Sequence, residues 1–392
     1  MFQLIKPGTN FEIIGKRHIF AVISGLLVLG SILAVIFIGP TYGIDFRGGT
    51  DIILHFNEEV ETDDVRDVAE DAGLPDVIVQ HYGEPDENRF MVQTRAVSVV
   101  DEEISEEIEA DFEGLGEMNE YIWTKDRPNS AELTYESAVD TAEIEQVLSD
   151  AGLEDFEVKD VTQRGINTYR IEFEELQTYV VDEFENQMAD SFDTVDRMET
   201  VGAAVGEQFR NAGVLSIVVA LIFILIYIAF RFDIRYAPGA VAALTHDVII
   251  SVGFFTVFGI EISLPIVAAL LTIVGYSLND TIVVFDRIRE NLESAVDEPV
   301  DRIANRSINE TLSRTIMTSM TTLVAVAAIA VIGGGLIQDF AIALIVGVII
   351  GTYSSVYVAS PVMLKMDSFL KARREANEIL QTPDAGKDLV GH

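Results

Sequence analysis

The sequence predicts a multi-pass α-helical membrane protein with six transmembrane helices and a separate α+β extracytoplasmic domain. Three observations carry this prediction. Six apolar segments approach or exceed the roughly 20 residues that span a bilayer. Basic residues cluster on one side of these segments. A long acidic stretch, residues 39–212, separates the first apolar segment from the other five.

The composition sets limits on the class of protein. The chain has 392 residues and a formal net charge of −38, and its mean hydropathy is nevertheless +0.30, so apolar and charged residues must be segregated along it. The absence of cysteine excludes disulfides, thiolate metal sites and thiol nucleophiles. Nucleic acid is not an expected partner, because an acidic chain repels phosphate. This acidity indicates a halophilic host, since molar salt screens the self-repulsion.

The six apolar segments are taken as membrane helices. They are residues 19–38, 214–230, 237–258, 264–285, 315–332 and 340–360. The first is not interpreted as a cleaved signal peptide, because it is long and no small-residue cleavage site follows it. The five later helices form the region 213–360.

The distribution of basic residues predicts the orientation in the cell membrane. Fifteen of the 26 basic residues lie before the first helix, between helices two and three, between four and five, or after the sixth. The short opposite loops, residues 259–263 and 333–339, have none. By the positive-inside rule, residues 1–18 and 361–392 are expected in the cytoplasm, with residues 39–212 outside.

The outer domain is predicted to be ferredoxin-like and duplicated. It contains 46 acidic and 11 basic residues between positions 40 and 212. The sequence DAGL at 71–74 recurs at 150–153, and the same offset continues downstream. Each copy has the order strand–helix–strand–strand–helix, which gives repeat halves of about 50–113 and 130–192. Residues 194–211 are predicted to form a helix that leads into the membrane.

Asp280 is the first candidate functional residue. It follows Asn279 in the segment GYSLNDTIVVFDRIREN at 275–291, roughly 10 Å inside the boundary marked by Arg287. Thr272 and Tyr276 extend a polar stripe on its helix. Ionisable residues inside the membrane usually line ion or proton paths, so we expect an ion-coupling role. The alternative is a buried structural carboxylate paired with an arginine.

Asp247 and Arg314 are the other charged candidates for ion coupling. Asp247 follows His246 near the middle of the third helix, where the two form either a proton relay or a hydrogen-bonded pair that locks helix packing. Arg314 stays charged and would hold Asp280 ionised until a proton arrives. The alternative is that Arg314 extends to the lipid headgroups.

Glycine patterns indicate packing and a junction. Gly347 and Gly351 form a GxxxG motif that predicts close helix contact. Gly43, Gly48 and Gly49 suit a hinge between membrane and outer domain, or alternatively a tight turn. Neither a Walker loop nor a zincin motif occurs, so we expect no enzyme activity, no cofactor and no metal site.

Several long motifs resemble one family. They are GIDFRGGT at 43–50, AALTHDVIISVGFF at 242–255, VGYSLNDTIVVFDRIREN at 274–291, the Arg314-Thr315 pair and GTYSSVYVASP at 351–361. They resemble the SecF members of the SecD/SecF family, in the resistance–nodulation–division superfamily. This resemblance covers the first helix, its junction with the outer domain, which includes Asp45, and nearly all of the last five helices.

The resemblance implies a role in protein export. SecF members act with SecD at the SecY channel, using a proton or sodium gradient. It implies that Asp280 and Arg314 belong to an intramembrane charge cluster, that SecD supplies a facing carboxylate, and that Asp247 belongs to a family motif. The expected partners are SecD, a SecY-type translocon, the translocating polypeptide and membrane lipid. The outer domain is long for a SecF, and its acidity suggests a haloarchaeon.

Two other functions remain open at this stage. A passive scaffold would stabilise the translocon without ion flux. Half of a small-molecule exporter of the same superfamily would need a ligand pocket in the outer domain, and the acidic, aromatic-poor sequence of that domain offers no obvious one.

Overall fold

The structure is a computed structural model that describes residues 10–83, 87–124, 127–153, 155–231, 233–295, 298–333 and 335–381. The predicted cytoplasmic ends therefore lie partly outside the described residues. The chain divides into two compact units. One, the outer unit, runs from Tyr42 to Ala212, and the other, the membrane unit, consists of the segments on either side of it.

The helices and strands of both units are numbered along the chain. In order they are α1 (Arg17–Phe37), α2 (Ile44–Arg47), β1 (Gly49–Phe56), α3 (Thr62–Asp71), β2 (Ile78–His81), β3 (Arg89–Thr94), α4 (Glu102–Glu113), β4 (Met118–Thr124), β5 (Arg127–Tyr135), α5 (Thr141–Asp150), β6 (Phe156–Asp160), β7 (Asn167–Phe173), α6 (Leu176–Gln187), β8 (Phe192–Val201), α7 (Ala203–Arg231), α8 (Ala237–Phe258), α9 (Leu264–Ser294), α10 (Val300–Ile332), α11 (Gly335–Ser354) and α12 (Ser360–Gln381). A short π-helical segment, Ser355–Ala359, joins α11 to α12.

The prediction of six membrane helices is confirmed. Among the described residues, six helices are long and apolar enough to cross a bilayer. Local sequence sets their ends: α8 and α9 each have a proline in the first turn, where the missing N–H costs nothing. Helix α8 stops at Gly259, whose φ of 68° is left-handed and favours glycine.

Close contacts between helices occur where side chains are absent. A Cβ on Gly347 would lie 2.1 Å from the Cγ1 of Ile273, and one on Gly351 would lie 2.9 Å from the Cβ of Ser277. Both contacts join α11 to α9. The GxxxG motif is therefore a helix-packing motif, as predicted.

The segment before α1 is held by two asparagines of α10. The side-chain oxygen of Asn305 accepts hydrogen bonds from the backbone N–H groups of Ile13 and Ile14, at 2.9 and 3.1 Å. The side-chain oxygen of Asn309 accepts from the N–H of Phe11 at 2.8 Å. These bonds satisfy donors near the start of α1 and tie that helix to α10.

The outer unit contains two four-stranded antiparallel sheets. Their strand orders are β2-β3-β1-β8 and β4-β5-β7-β6. Helices α3 and α6 bury apolar side chains such as Val65 and Phe184 against the first sheet. Helices α4 and α5 do the same against the second sheet with Phe112 and Leu148.

The two sheets exchange elements along the chain. The first sheet takes β1-α3-β2-β3 from the first repeat, α6 from the second, and strand β8, which follows α6. The second sheet takes β5-α5-β6-β7 from the second repeat, α4 from the first, and strand β4, which follows α4. Each completed sheet then has the ferredoxin-like arrangement of a βαββαβ unit. This arrangement is compatible with the predicted duplication, and neither half builds a sheet alone.

The prediction of a helix at residues 194–211 is wrong for its first half. Residues up to Val201 form strand β8, which pairs with β1. The apolar side chains of β8 recur at every third residue, from Phe192 through Val195 and Met198, instead of alternating. Bulges in the pairing with β1, between Ile53 and Leu54 and between His55 and Phe56, explain this spacing. The period of three imitates a helix.

Candidate intramembrane ion-coupling site

Asp247 is a fully buried carboxylate at the centre of a hydrogen-bond network. It lies on α8 and is 0% exposed. Its Oδ2 accepts hydrogen bonds from the hydroxyl of Ser277 on α9 at 2.5 Å and that of Ser354 on α11 at 2.7 Å. Its Oδ1 lies 2.9 Å from the Nδ1 of His246. One carboxylate therefore joins three membrane helices.

His246 extends this network towards α1. It is 5% exposed and its ring stacks on that of Tyr353, with centroids 6.0 Å apart. The hydroxyl of Tyr353 lies 2.8 Å from that of Ser24 and donates to the carbonyl of Phe20 at 3.1 Å. Both of the latter residues belong to α1. The Nε2 of His246 is buried without a hydrogen-bond partner. The proton relay and the packing lock therefore both stay predictions for the His246–Asp247 pair.

Asp280 is buried in a different way. It lies on α9 and is 2% exposed, yet its Oδ2 has no hydrogen-bond partner. The hydroxyls of Thr281, on the same helix, and of Thr315, on α10, are also buried without a partner. Buried polar groups are nearly always hydrogen-bonded. Three unpartnered groups close together in the sequence motifs are therefore costly for stability, and they mark a candidate functional site.

Arg314 and Asn279 are exposed on the membrane unit, although both lie in membrane helices. The guanidinium of Arg314 makes no ion pair with Asp280 among the described residues, but its charge acts on that carboxylate. Asn279 precedes Asp280 and, at about 100° around the helix, points outward instead of inward. Polar side chains at bilayer depth avoid lipid, so this face requires a protein neighbour or water.

The end of α9 forms conventional ion pairs. One guanidinium nitrogen of Arg231 donates to both carboxylate oxygens of Asp286, at 2.9 and 2.8 Å. Arg287 donates to Glu310 of α10 at 2.5 Å. Asp280 lies on the same helix but is more deeply buried, and its Oδ2 has no hydrogen-bond partner.

The junction glycines occupy a fixed turn. Gly43 immediately precedes α2, a short helix whose first turn contains Asp45. Gly48 and Gly49 have φ values of 76° and 123°. A Cβ on Gly49 would lie 2.3 Å from the carbonyl oxygen of Thr94. These values explain the glycines by backbone geometry, and the hinge role stays a prediction.

The outer unit has a cleft that the sequence did not predict. Its cavity of about 1580 Å³ is lined by Trp123, Arg95 and several carboxylates. Three of these, Asp155, Glu174 and Asp182, have oxygens within 4.8 Å of one another. Burial, and then the charges of the other two, raises the pKa of Glu174. These three are the residues that could hold a cation, although an acidic domain produces such groupings without one.

Sequence reasoning missed the hydroxyls that bond to Asp247 and the unpartnered hydroxyl of Thr315. Ser277, Ser354 and Thr315 are ordinary polar residues in apolar helices, and nothing local distinguishes them. The only available signal was their position inside the motifs around 274–291, 314–315 and 351–361. The charge of Arg314 acts on Asp280 without an ion pair between them among the described residues, so their partnership stays a prediction. Asp247 lies in a separate network.

These features define a class: a six-helix membrane protein with buried intramembrane carboxylates and a ferredoxin-like outer unit. Residues 181–368 match the family described as protein export membrane protein SecD/SecF, C-terminal. The SecF subunit of the protein translocase of Calditerrivibrio nitroreducens is 33% identical over 94% of this chain and 98% of its own length. That of Rhodothermus marinus is 39% identical over 94% and 97%.

The solved structures agree with the sequence relatives. The crystal structure of SecDF from Thermus thermophilus, a translocon-associated membrane protein, superposes with a TM-score of 0.64 at 30% identity. The match covers 92% of this chain but 39% of that one. The chain therefore corresponds to about two fifths of the fused protein. It belongs to the SecF family of protein translocase subunits.

Proposed function

We propose that the chain works with SecD to assist polypeptide translocation across the cytoplasmic membrane, driven by a proton or sodium gradient. The observation that supports this most is Asp280, a buried intramembrane carboxylate with an unsatisfied oxygen beside a permanently charged arginine. A group of this kind is costly unless its protonation or ion occupancy changes during function. The relatives' role as translocase subunits supplies the process to which the ion would be coupled.

SecD is the proposed neighbour on the face that carries Arg314 and Asn279. These polar side chains are exposed within apolar helices, where they avoid lipid and require a protein neighbour or water. A carboxylate on SecD would neutralise Arg314. The fusion of SecD and SecF in one Thermus thermophilus chain, to which this chain is 49% identical over 185 residues, supports the pairing.

Protonation of Asp280 would weaken its attraction to Arg314 and favour a second packing of α9 against α10. One charge that crosses a membrane potential of 100 mV releases about 2.3 kcal/mol, enough to shift a two-state equilibrium roughly 50-fold. The glycine junction would transmit the change to the outer unit, which would hold the emerging polypeptide and hinder its return. Both termini are proposed to be cytoplasmic, from the distribution of basic residues.

The test is export of a reporter protein in cells whose only copy of the chain carries Asp280→Asn. The presence of SecD and the amounts of both subunits in the membrane are measured in the same cells. Export should fall to the level of cells that lack the chain, because the amide is isosteric but cannot exchange a proton. Asp286→Asn is the matched control, since Asp286 lies on the same helix in an ordinary ion pair with Arg231.

Normal export by Asp280→Asn would reject ion coupling through this residue and favour the passive scaffold. An export defect in the Asp286→Asn control of equal size would show that any loss of charge on α9 is harmful, and the proposal would lose its specific support. Loss of small-molecule efflux with unchanged reporter export would favour the exporter alternative.

A further inference from the structure

Helix α10 carries a row of four buried hydroxyl groups, and one of the four lacks the hydrogen bond that the other three make. Ser307, Thr311, Thr315 and Ser319 recur at every fourth residue, and all are buried. Three of them donate to the carbonyl one turn earlier, at 2.8, 3.1 and 2.9 Å. This is the usual way in which a hydroxyl is satisfied inside a helix. The hydroxyl of Thr315 alone in this row has no partner.

Contacts on either side place Thr315 opposite Asp280. Helices α9 and α10 run antiparallel, because Tyr276 bonds to Ser319 at 3.4 Å while Arg287 bonds to Glu310. Asp280 is one turn beyond Tyr276, and Thr315 is one turn before Ser319. Each step is about 6 Å along its helix and in the same direction in space. The two unsatisfied groups therefore lie at the same level of one helix interface.

We propose that Thr315 is a positioning residue for Asp280, the hydrogen-bond partner that the carboxyl takes when it is neutral. In that state the Asp280 hydroxyl donates to Oγ1 of Thr315, and the Thr315 hydroxyl donates to the carbonyl of Thr311, as its neighbours in the row do. In the ionised state the carboxylate turns to Arg314, the preceding residue of α10. The inference rests on the proposed ion coupling. It adds the hydrogen-bond partner that Asp280 takes in its neutral state.

Several polar groups on the helices packed against α9 have partners of their own. On α8, the Nδ1 of His246 bonds to Asp247, which also accepts from Ser277 of α9, while the Nε2 of His246 has no partner. On α11, Tyr353 bonds to α1, and in the π-helical segment Tyr357 packs on Phe20. On α10, Glu310 bonds to Arg287. Arg314 is the charged group that acts on Asp280. The unpartnered hydroxyl of Thr281 lies on Asp280's own helix, so Thr315 is the unpartnered hydroxyl that the facing helix α10 offers.

The test compares Thr315→Val, Thr315→Ser and Thr311→Val in membrane vesicles that contain the chain with SecD and the translocon. Ion-driven export is measured as a function of pH. Thr315→Val keeps shape but removes the bond that stabilises neutral Asp280. The midpoint of the pH profile should therefore move about half a unit to one unit lower, the value of one hydrogen bond.

Thr315→Ser should restore the original midpoint, because serine retains the hydroxyl. Thr311→Val should leave it unchanged, because that hydroxyl is satisfied within its own helix. An unchanged midpoint in Thr315→Val, with Asp280→Asn inactive, would overturn this inference and leave ion coupling intact. Full activity of Asp280→Asn would instead reject the proposed function itself. Equal shifts in Thr315→Val and Thr311→Val would reduce Thr315 to a packing residue.

Discussion

Asp247 and Asp280 are both carboxylates buried in the membrane unit, and they lie on neighbouring helices. Asp247 accepts two hydroxyl donors and contacts a histidine nitrogen, so its charge is compensated by fixed dipoles. Asp280 has an oxygen that nothing satisfies. The same residue type at similar burial thus has two different environments, and the number of hydrogen-bond partners distinguishes them.

The difference follows from what each position requires of its protonation state. Several donors to a carboxylate favour its ionised form, because each hydrogen bond is stronger to the charged oxygen than to the neutral one. A carboxylate with few fixed partners can change state at low cost, which is what ion coupling demands. Satisfied polar groups therefore stabilise a helix bundle, whereas unsatisfied ones mark the part that changes.

The comparison predicts its largest effect for Asp247→Ala. Removal of the carboxylate leaves Ser277, Ser354 and His246 without their buried partner, which should cost about 3–5 kcal/mol of stability. Asp280→Ala removes a group whose Oδ2 has no hydrogen-bond partner, and should change stability by less than about 1 kcal/mol. Thermal unfolding of the purified complex with SecD in detergent measures both. Equal losses of stability in the two variants would contradict the difference between Asp247 and Asp280.

The sequence was informative where structure is determined locally. Apolar length alone predicts the six membrane helices, and Asp247 and Asp280 stand out because charge is rare inside such segments. Whether a carboxylate is satisfied depends on residues such as Ser354, which lies 107 positions from Asp247. No periodicity encodes that contact, so the two carboxylates could be found but not distinguished.

The outer unit shows a second limit of local patterns. The repeat at 71–74 and 150–153 predicted the order of the elements within each copy. It could not reveal that the copies exchange α4-β4 for α6-β8, because the exchange leaves the order along the chain unchanged. The two strands that were not predicted, β4 and β8, are the exchanged ones. Both pair with their neighbouring strands through bulges, which disturb the alternation of apolar residues.

Ser354→Ala provides a smaller, sharper test of the Asp247 network. Its hydroxyl donates to the buried carboxylate, and a hydrogen bond to a charged group is worth about 1.5–3 kcal/mol. The adjacent Ser355 is equally buried but donates to the carbonyl of Thr352, so Ser355→Ala should cost only about 0.5–1.5 kcal/mol. Chemical denaturation of the two variants side by side gives the difference, and a larger loss for Ser355→Ala would contradict the assigned network.

The smallest effect is expected for a satisfied titratable group outside the membrane, Tyr135 of β5. Its hydroxyl donates to the carbonyl of Phe112 at 2.9 Å and so joins exchanged helix α4 to the second sheet. Burial, and then the neighbouring Tyr169, raises the pKa of Tyr135 to about 12. Because the folded state holds the proton more tightly, the stability from this group is complete below pH 10 and is lost as pH rises towards 12.

Tyr135→Phe should therefore cost about 0.5–1.5 kcal/mol at neutral pH and should remove part of the decline in stability above pH 10. Trp123, the single tryptophan of the chain, lies on β4 and pairs with Ala131 of β5, so its fluorescence reports unfolding of this sheet. Urea titrations at pH 7 and pH 11 measure both effects. Parallel declines of wild type and variant between these pH values would show that Tyr135 is not the group responsible. A decline confined to the wild type would show that the buried Tyr135 hydroxyl, held by its bond to Phe112, is the group whose loss of a proton destabilises the second sheet.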